Sequence, residues 1–391
     1  VREIGSYAFR CCSKLSSISI PDSVINIFYG AFLSCDSSLY DTTSKPNMTL
    51  VDGWVVDSVP EWRTETPISG ELDLTGVRGI GGNAFQEQSG ITSVSIPDSV
   101  KAISSYAFAE CLNLKSVRIG NSIKTICDGA FMNCTSLDNV IIPGSIETVD
   151  DYAFYNCSNL TSVAIENGVS NIGKGAFKNC VRLAKIALPN SLLAIGENSF
   201  RGCAGLSSVK LPRFLTKLDY YVFGDCTSLS KIEIPDSVVS IDIYSFSGCS
   251  SLVTVLVGEG VRTIYDSAFS GCNSMKRVVF RGYDAPLVCD WRGNSTSFAN
   301  ISAGCKAFAK KLASGFPADG KNWNGMTVKR YDFEVQNGTV TISGNGWYSV
   351  KATNGMVLKR EDFSFQGILG DDIVDVSAGY KIAIASDGES A

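Results

Sequence analysis

The chain repeats itself every 23 residues. Phe stands at 85, 108, 131, 154, 177, 200, 223, 246 and 269, always in the same company, which is clearest from Ser228 to Cys249. There an apolar set (Leu229, Ile232, Ile234) leads into Pro235-Asp236-Ser237, then Val238 and Ile241, then Phe246 three residues before Cys249. Phe9 and Phe32 keep the same spacing. A unit this short cannot bury an apolar face alone, so neighbouring units must stack into a solenoid and share one continuous core.

Each coil divides into three segments. Residues Leu15 to Ile20 alternate apolar and polar, as a half-buried strand does. Pro21-Asp22 ends that strand, because Pro cannot donate to a ladder and Asp tolerates turn geometry. Val24 and Ile27 return to the core, and Tyr29 to Cys35 sets Phe one helical turn before Cys, which predicts a single turn of helix. Stacking then predicts a β-rich solenoid with a parallel sheet on one face, turns at one edge and short helical turns opposite.

The charge and cysteine content narrow the function. The formal net charge is −5, and Lys and Arg are scattered singly, which leaves no basic stripe for nucleic acid or an anionic membrane. No apolar run approaches the length of a membrane span. Val1-Arg2-Glu3-Ile4 matches the middle of a repeat, so no leader peptide is expected in these residues and the chain reads as a fragment of a longer protein. Histidine is absent, which removes the usual general base, the commonest metal ligand and every Ser-His or Cys-His pair. An enzyme, a cofactor and a metal site are therefore not expected.

Of 14 cysteines, ten (Cys12, Cys35, Cys111, Cys134, Cys157, Cys180, Cys203, Cys226, Cys249 and Cys272) follow the repeat Phe by three residues, and no Cys-x-x-Cys pair exists to hold zinc. They read as a ladder of free buried thiols acting as small hydrophobes. Bridges between rungs are the alternative, since stacked strands lie about 4.8 Å apart and a disulfide wants Cα atoms ~4.4–6.8 Å apart. Gln88 takes one rung, which interrupts any alternate pairing. Cys289 and Cys305 fall outside the ladder and are a possible bridge in an oxidising compartment.

Three stretches depart from the coil. Phe32 and Phe85 are 53 residues apart, seven more than two periods. Within residues 40–70, Asp52-Gly53 between Thr49-Leu50-Val51 and Trp54-Val55-Val56 is a strong hairpin signal, predicting a β-excursion that projects from the solenoid. Its Trp54 and Trp62 either cover the interrupted sheet edge or form a recognition surface. After Phe280 the repeat is expected to stop. Residues 281–332 then form a terminal cap, with a helix over 302–314 begun by Ser302 and ended by Gly315, aided by Trp291, Phe316, Trp323 and Val328. Residues 333–391 read as a small β-rich appendage with hairpin signals at Asn337-Gly338 and Asn354-Gly355. Its Asp371, Asp372 and Asp375 lack the spacing of a calcium loop.

The outward sheet positions carry mostly short or charged side chains such as Ser162, Lys185, Lys210 and Lys231, with Ile141, Leu256 and Val279 as apolar exceptions and without an aromatic. Tyrosines gather instead beside the Phe turns, among them Tyr106, Tyr152, Tyr221 and Tyr244. They read as cover for that edge or as a strip that binds protein or glycan.

The run Leu-x-x-Ile-x-Ile-Pro-Asp-Ser-Val-x-x-Ile-x-x-x-Ala-Phe-x-x-Cys, taken from Leu15 to Cys35 and recurring to Cys272, resembles the BspA-like leucine-rich repeats of bacterial and some protist surface proteins. The resemblance implies a leucine-rich solenoid, surface display or secretion and, for some members, adhesion to matrix proteins or cells, with no catalytic residues to carry over. A monomeric binding or adhesion module for a protein or glycan at a cell surface is the expected function, with Trp54, Trp62, Tyr106, Tyr152, Tyr221 and Tyr244 as its contact residues. A structural spacer that displays another domain is the alternative.

Overall fold

A computed structural model describes residues 1–57, 68–288 and 296–330 in full, and elsewhere the backbone of the strands. The coils stack as the period requires. One parallel sheet takes its strands from successive coils: Ile91–Ser95, Ser116–Arg118, Asn139–Ile142, Ser162–Ile165 and Lys185–Ala187, then, after a break, Lys231–Ile234, Thr254–Val257 and Arg277–Phe280. Registers such as Val140 opposite Val163 place identical repeat positions side by side. A second line of two-residue strands, from Thr125–Ile126 to Thr263–Ile264, pairs in the same offset. Inward alternation fills the space between with Val140, Ile142, Val149 and Leu160, all buried.

The third side of each coil carries Phe and Cys. From Phe85 to Phe269 every repeat ring is fully buried and lies nearly parallel to the next, centroids 5.2–5.6 Å apart. Each ladder thiol from Cys35 to Cys272 donates to the carbonyl of the Phe 26 residues earlier, as Cys157 does to Phe131 at 3.2 Å. That bond satisfies an acceptor that a methyl group would leave empty.

These segments are not the single helical turns that their spacing predicts. The residues two before and two after Phe lie in the left-handed region, as with Tyr106 (φ 58) and Glu110 (φ 62). Alternate N–H groups then point across to the next coil: Phe108 donates to Ala130 O at 2.8 Å and Glu110 to Met132 O at 2.7 Å. A helix would direct these donors along the coil, whereas the tight turns convert the segment into a third inter-coil ladder. Among the described residues the one helical stretch is the 3-10 turn Ser37–Leu39.

The departures fold differently from expectation. Asp52 (φ 48) and Gly53 (φ 76) make a two-residue turn joining Met48–Val51 to Trp54–Ser58, so the hairpin forms. It does not project. Trp54–Ser58 pairs in parallel with Gly79–Ile80, and the hairpin thereby extends the second sheet. Residues 1–39 form a two-coil stack of their own, with Phe9 on Phe32 at 5.3 Å and a separate core. It docks on the main stack side-on: the Ile27 N–H donates to Ser104 Oγ (2.9 Å) and Asn26 Nδ2 to Ser105 Oγ (3.0 Å).

The coil pattern also runs past Phe280. Phe298 stacks on Phe269 at 5.2 Å, 29 residues later, so a six-residue insertion hides one more coil. The helix expected over 302–314 is instead the strand Lys306–Lys310, paired to Arg277–Phe280 and followed by Met326–Tyr331. Residues Lys306 to Lys310 alternate as readily as they wind, with Ala307 and Ala309 inward, and the open edge of Arg277–Phe280 decides for strand. The Arg330 guanidinium closes the segment by donating to the carbonyls of Lys310, Ala313, Phe316 and Pro317. Trp323 packs on Phe280 and Phe316, 5.1 and 4.9 Å away. Trp291 and Cys289 lie outside the described residues, and with them the bridge to Cys305; Cys305 itself is buried.

Beyond residue 332, Phe333–Gln336 and Thr339–Ile342 pair antiparallel with Gln336 opposite Thr339, across Asn337-Gly338. The strands either side of Asn354-Gly355 do not pair with each other: Tyr348–Lys351 joins Thr339–Ile342, and Met356–Val357 joins Ala383–Ile384. Side chains of this segment, including Asp371, Asp372 and Asp375, lie outside the described residues.

Candidate functional site

Trp54 does not belong to a binding surface. It is 2% exposed, and its ring lies so close to Gly79 that a Cβ there would sit 2.4 Å from it. The side chain is a core residue of the N-terminal stack together with Val51 and Ala102. Trp62 lies outside the described residues.

The four tyrosines share one structural position. Tyr106, Tyr152, Tyr221 and Tyr244 all stand two residues before the repeat Phe with φ of 51–58°, as does Tyr7 (φ 59). A bulky side chain is uncommon there and costs on the order of 1 kcal/mol. Coils that carry Asn83 or Asn198 at this position meet the same backbone demand with a residue that tolerates it. The tyrosines are therefore not required by the turn.

Their surroundings divide them into two groups. Tyr7, Tyr106 and Tyr152 lie over a left-handed glycine in the next coil, respectively Gly30, Gly129 and Gly175, where a Cβ would fall 2.4–2.6 Å from the ring. These rings cover exposed backbone, and Tyr106 is further held by donating to Asp128 (2.9 Å). Burial pushes the Tyr106 hydroxyl and the Asp128 carboxyl above their ordinary values. Tyr221 has no glycine in the next coil but Tyr244, and the two rings stack at 4.6 Å. Arg201 lies over the other face of Tyr221, 4.1 Å from its centroid, held by Asp225 at 3.2 Å. Tyr220 stands edge-on to Tyr221 at 4.9 Å and is 37% exposed. Burial raises the Tyr221 hydroxyl above its ordinary value.

This is a half-buried column, Arg201 on Tyr221 on Tyr244, with Tyr220 beside it. It offers flat π-faces, phenolic donors and a guanidinium, the combination that grips sugars or protein side chains. Tyr106 stands five coils away, about 24 Å along the stack at ~4.8 Å per coil. The strip is therefore one cluster with outlying rings rather than a continuous site. Arg201 had no signal in the sequence, because its partner is reached across a coil.

A cleft of about 480 Å³ opens between the second coil and the hairpin, lined by Phe28, Tyr29, Tyr40, Val56 and Asp57. Among the described residues no group of three His, Cys, Asp or Glu side chains is placed to hold a metal. Among the described residues no disulfide joins the cysteines, and burial pushes thiols such as Cys180 and Cys272 up to about 12, which leaves them unreactive.

The fold and its aromatic edge define a parallel β-solenoid of leucine-rich coils. The BspA type leucine-rich repeat region matches in six copies over residues 1–55, 78–193 and 170–283, and the chain belongs to that family. Similar solved structures include a leucine-rich repeat protein of Bacteroides ovatus (23% identity, 84% of this chain and 87% of that one, TM-score 0.49). A leucine-rich repeat protein of T. pallidum is 31% identical over 38% of this chain and 75% of its own (TM-score 0.35). The pneumococcal vaccine antigen PcpA is 17% identical over 85% and 79% (TM-score 0.42). No functionally curated protein matches the chain. No helix among the described residues is long and apolar enough to cross a membrane.

Proposed function

We propose that this chain is a non-catalytic binding module of a surface-displayed or secreted protein, and that it takes a protein or glycan ligand on the edge formed by the Phe turns. The Arg201–Tyr221–Tyr244 column with Tyr220 is the centre of that edge, and Tyr106 and Tyr152 are outlying contacts. One observation carries the reading: tyrosine occupies a left-handed turn position that asparagine fills elsewhere in the same chain, and the Tyr221 ring, besides lying against Gly224 of its own coil, stacks on Tyr244 and carries Arg201. The surface setting is carried over from the family resemblance.

The test is an array of glycans and matrix or cell-surface proteins probed with wild type and with the double variant Tyr221→Asn/Tyr244→Asn. Asparagine is native to this turn position, so the fold is expected to survive, with an unchanged circular dichroism spectrum as the check. Each lost aromatic anchor is expected to cost about 1–2 kcal/mol of affinity. Hits that bind both proteins equally would refute the site, and an array without hits would favour a spacer that displays another domain.

A further inference from the structure

The first sheet is broken at one coil. Lys185–Ala187 ends one six-stranded run and Lys231–Ile234 begins the next, while residues 207–211, which carry the same repeat sequence, form no ladder with either and keep one backbone bond, Ser230 N–H to Ser207 O at 3.3 Å. The second sheet opens at the same level, since Ala194–Ile195 and Lys217–Leu218 lie in separate sheets. Ile186, Leu188 and Val209 are only partly buried there, where their counterparts Val163, Ile165 and Ile232 are buried.

The sequence departs from the repeat at this gap. In several other coils the residues after Pro fasten the turn in one or both directions, although Ser145 makes no such bond and its coil still pairs on both sides. Asp98 and Asp236 accept an N–H from the following coil, at 2.7 and 2.8 Å. Ser191 and Ser237 donate to a carbonyl of the preceding coil, at 2.8 and 2.6 Å. The coil at the break has Arg213 and Phe214 in those places. Arginine cannot accept, phenylalanine cannot donate, and Phe214 is left 50% exposed.

The third ladder is unbroken. Phe200 donates to Val222 O at 2.9 Å and Gly202 to Gly224 O at 2.8 Å, and Phe200 stacks on Phe223 at 5.3 Å. We propose that the solenoid hinges here: two stacks of coils swing about the Phe200–Phe223 turn edge, opening and closing the gap around residues 207–211. Arg201, bound to Asp225 and seated on Tyr221, spans the hinge line. On the binding reading above, a ligand gripping that column restrains the swing; the hinge itself does not depend on that reading.

Hydrogen exchange of the intact chain tests the gap. Amides of 186–188 and 209–211 are expected to exchange at least about tenfold faster than those of 163–165 and 255–257. The repair variant Arg213→Asp/Phe214→Ser, which restores Pro-Asp-Ser, is expected to slow them by a similar factor. Equal protection in the wild type, or a repair variant that exchanges as fast, would overturn the proposal. Swinging is read by electron-spin distance measurements with a genetically encoded, cysteine-independent label. The pair at Lys185 and Lys231, two coils apart across the gap, is expected to give a broader distribution than Asn139 and Lys185, two coils apart within one stack. Equal widths would show a static gap and refute the hinge.

Discussion

Phe154 lies at the middle of the array, fully buried between Phe131 at 5.3 Å and Phe177 at 5.4 Å. Replacing it by Ala removes a phenyl group whose burial contributes about 2–3 kcal/mol. The rigid coils above and below cannot collapse, because each is fixed by its own inter-coil hydrogen bonds: Phe131 N–H to Ala153 O and Phe154 N–H to Ala176 O, both 2.8 Å. A void of ~100 Å³ at ~24 cal/mol per Å³ adds about 2 kcal/mol, so a total of about 4–5 kcal/mol is expected. Ser162→Ala, on the open sheet face one strand away, should cost under ~0.5 kcal/mol. Urea unfolding followed by circular dichroism measures both. Comparable losses for the two substitutions would mean that the inside and outside of the coil have been reversed.

Other outcomes follow from the same packing. Counting thiols with a small alkylating reagent should show the eight buried ladder cysteines from Cys111 to Cys272 unreactive until denaturation, with the exposed Cys11 labelled at once; rapid native labelling of most of them would contradict the ladder. Gly79→Ala should destabilise the chain by about 1–3 kcal/mol through its clash with the Trp54 ring, and a neutral effect in urea unfolding would remove Trp54 from the core. Asp150 is held up to about 6 by burial, then by Asp151, Asp128 and Glu3. A raised carboxyl pKa means that the folded state binds the proton more tightly, so the penalty is absent below the ordinary value, grows through pH 4–6 and is full above about 6. Asp150→Asn should therefore be more stable than wild type at pH 7, by ~1 kcal/mol after solvent screening at this half-buried site, with the gap closing by pH 4; a gap independent of pH would refute the assignment.

Much of this architecture is legible in the sequence because a repeat states each structural demand many times over. Phe, Cys and Pro fall at fixed offsets, and the Asp52-Gly53 hairpin is a local signal that the structure honours. What escapes is set by contacts between coils. The coil containing Phe298 is masked by an insertion that breaks the period, and the strand Lys306–Lys310 has an Ala- and Lys-rich sequence that suits helix until a neighbouring edge demands pairing. The burial of Trp54 depends on Gly79, which is distant in the sequence. The tyrosines were visible as a group, but their shared left-handed turn, and the presence of Arg201 on one of them, arise only when coil is laid on coil.

The most direct test of the binding account is a solution titration of any ligand from the array against three proteins. These are the wild type, Tyr221→Asn/Tyr244→Asn, and a sheet-face variant with Arg118, Lys185, Lys210 and Lys231 replaced by Ser. The account predicts that the tyrosine variant loses at least about tenfold in affinity, equivalent to ~1.4 kcal/mol, while the sheet-face variant binds as the wild type does. The reverse order, with binding kept by the tyrosine variant and lost by the sheet-face variant, would contradict it and move the site to the sheet.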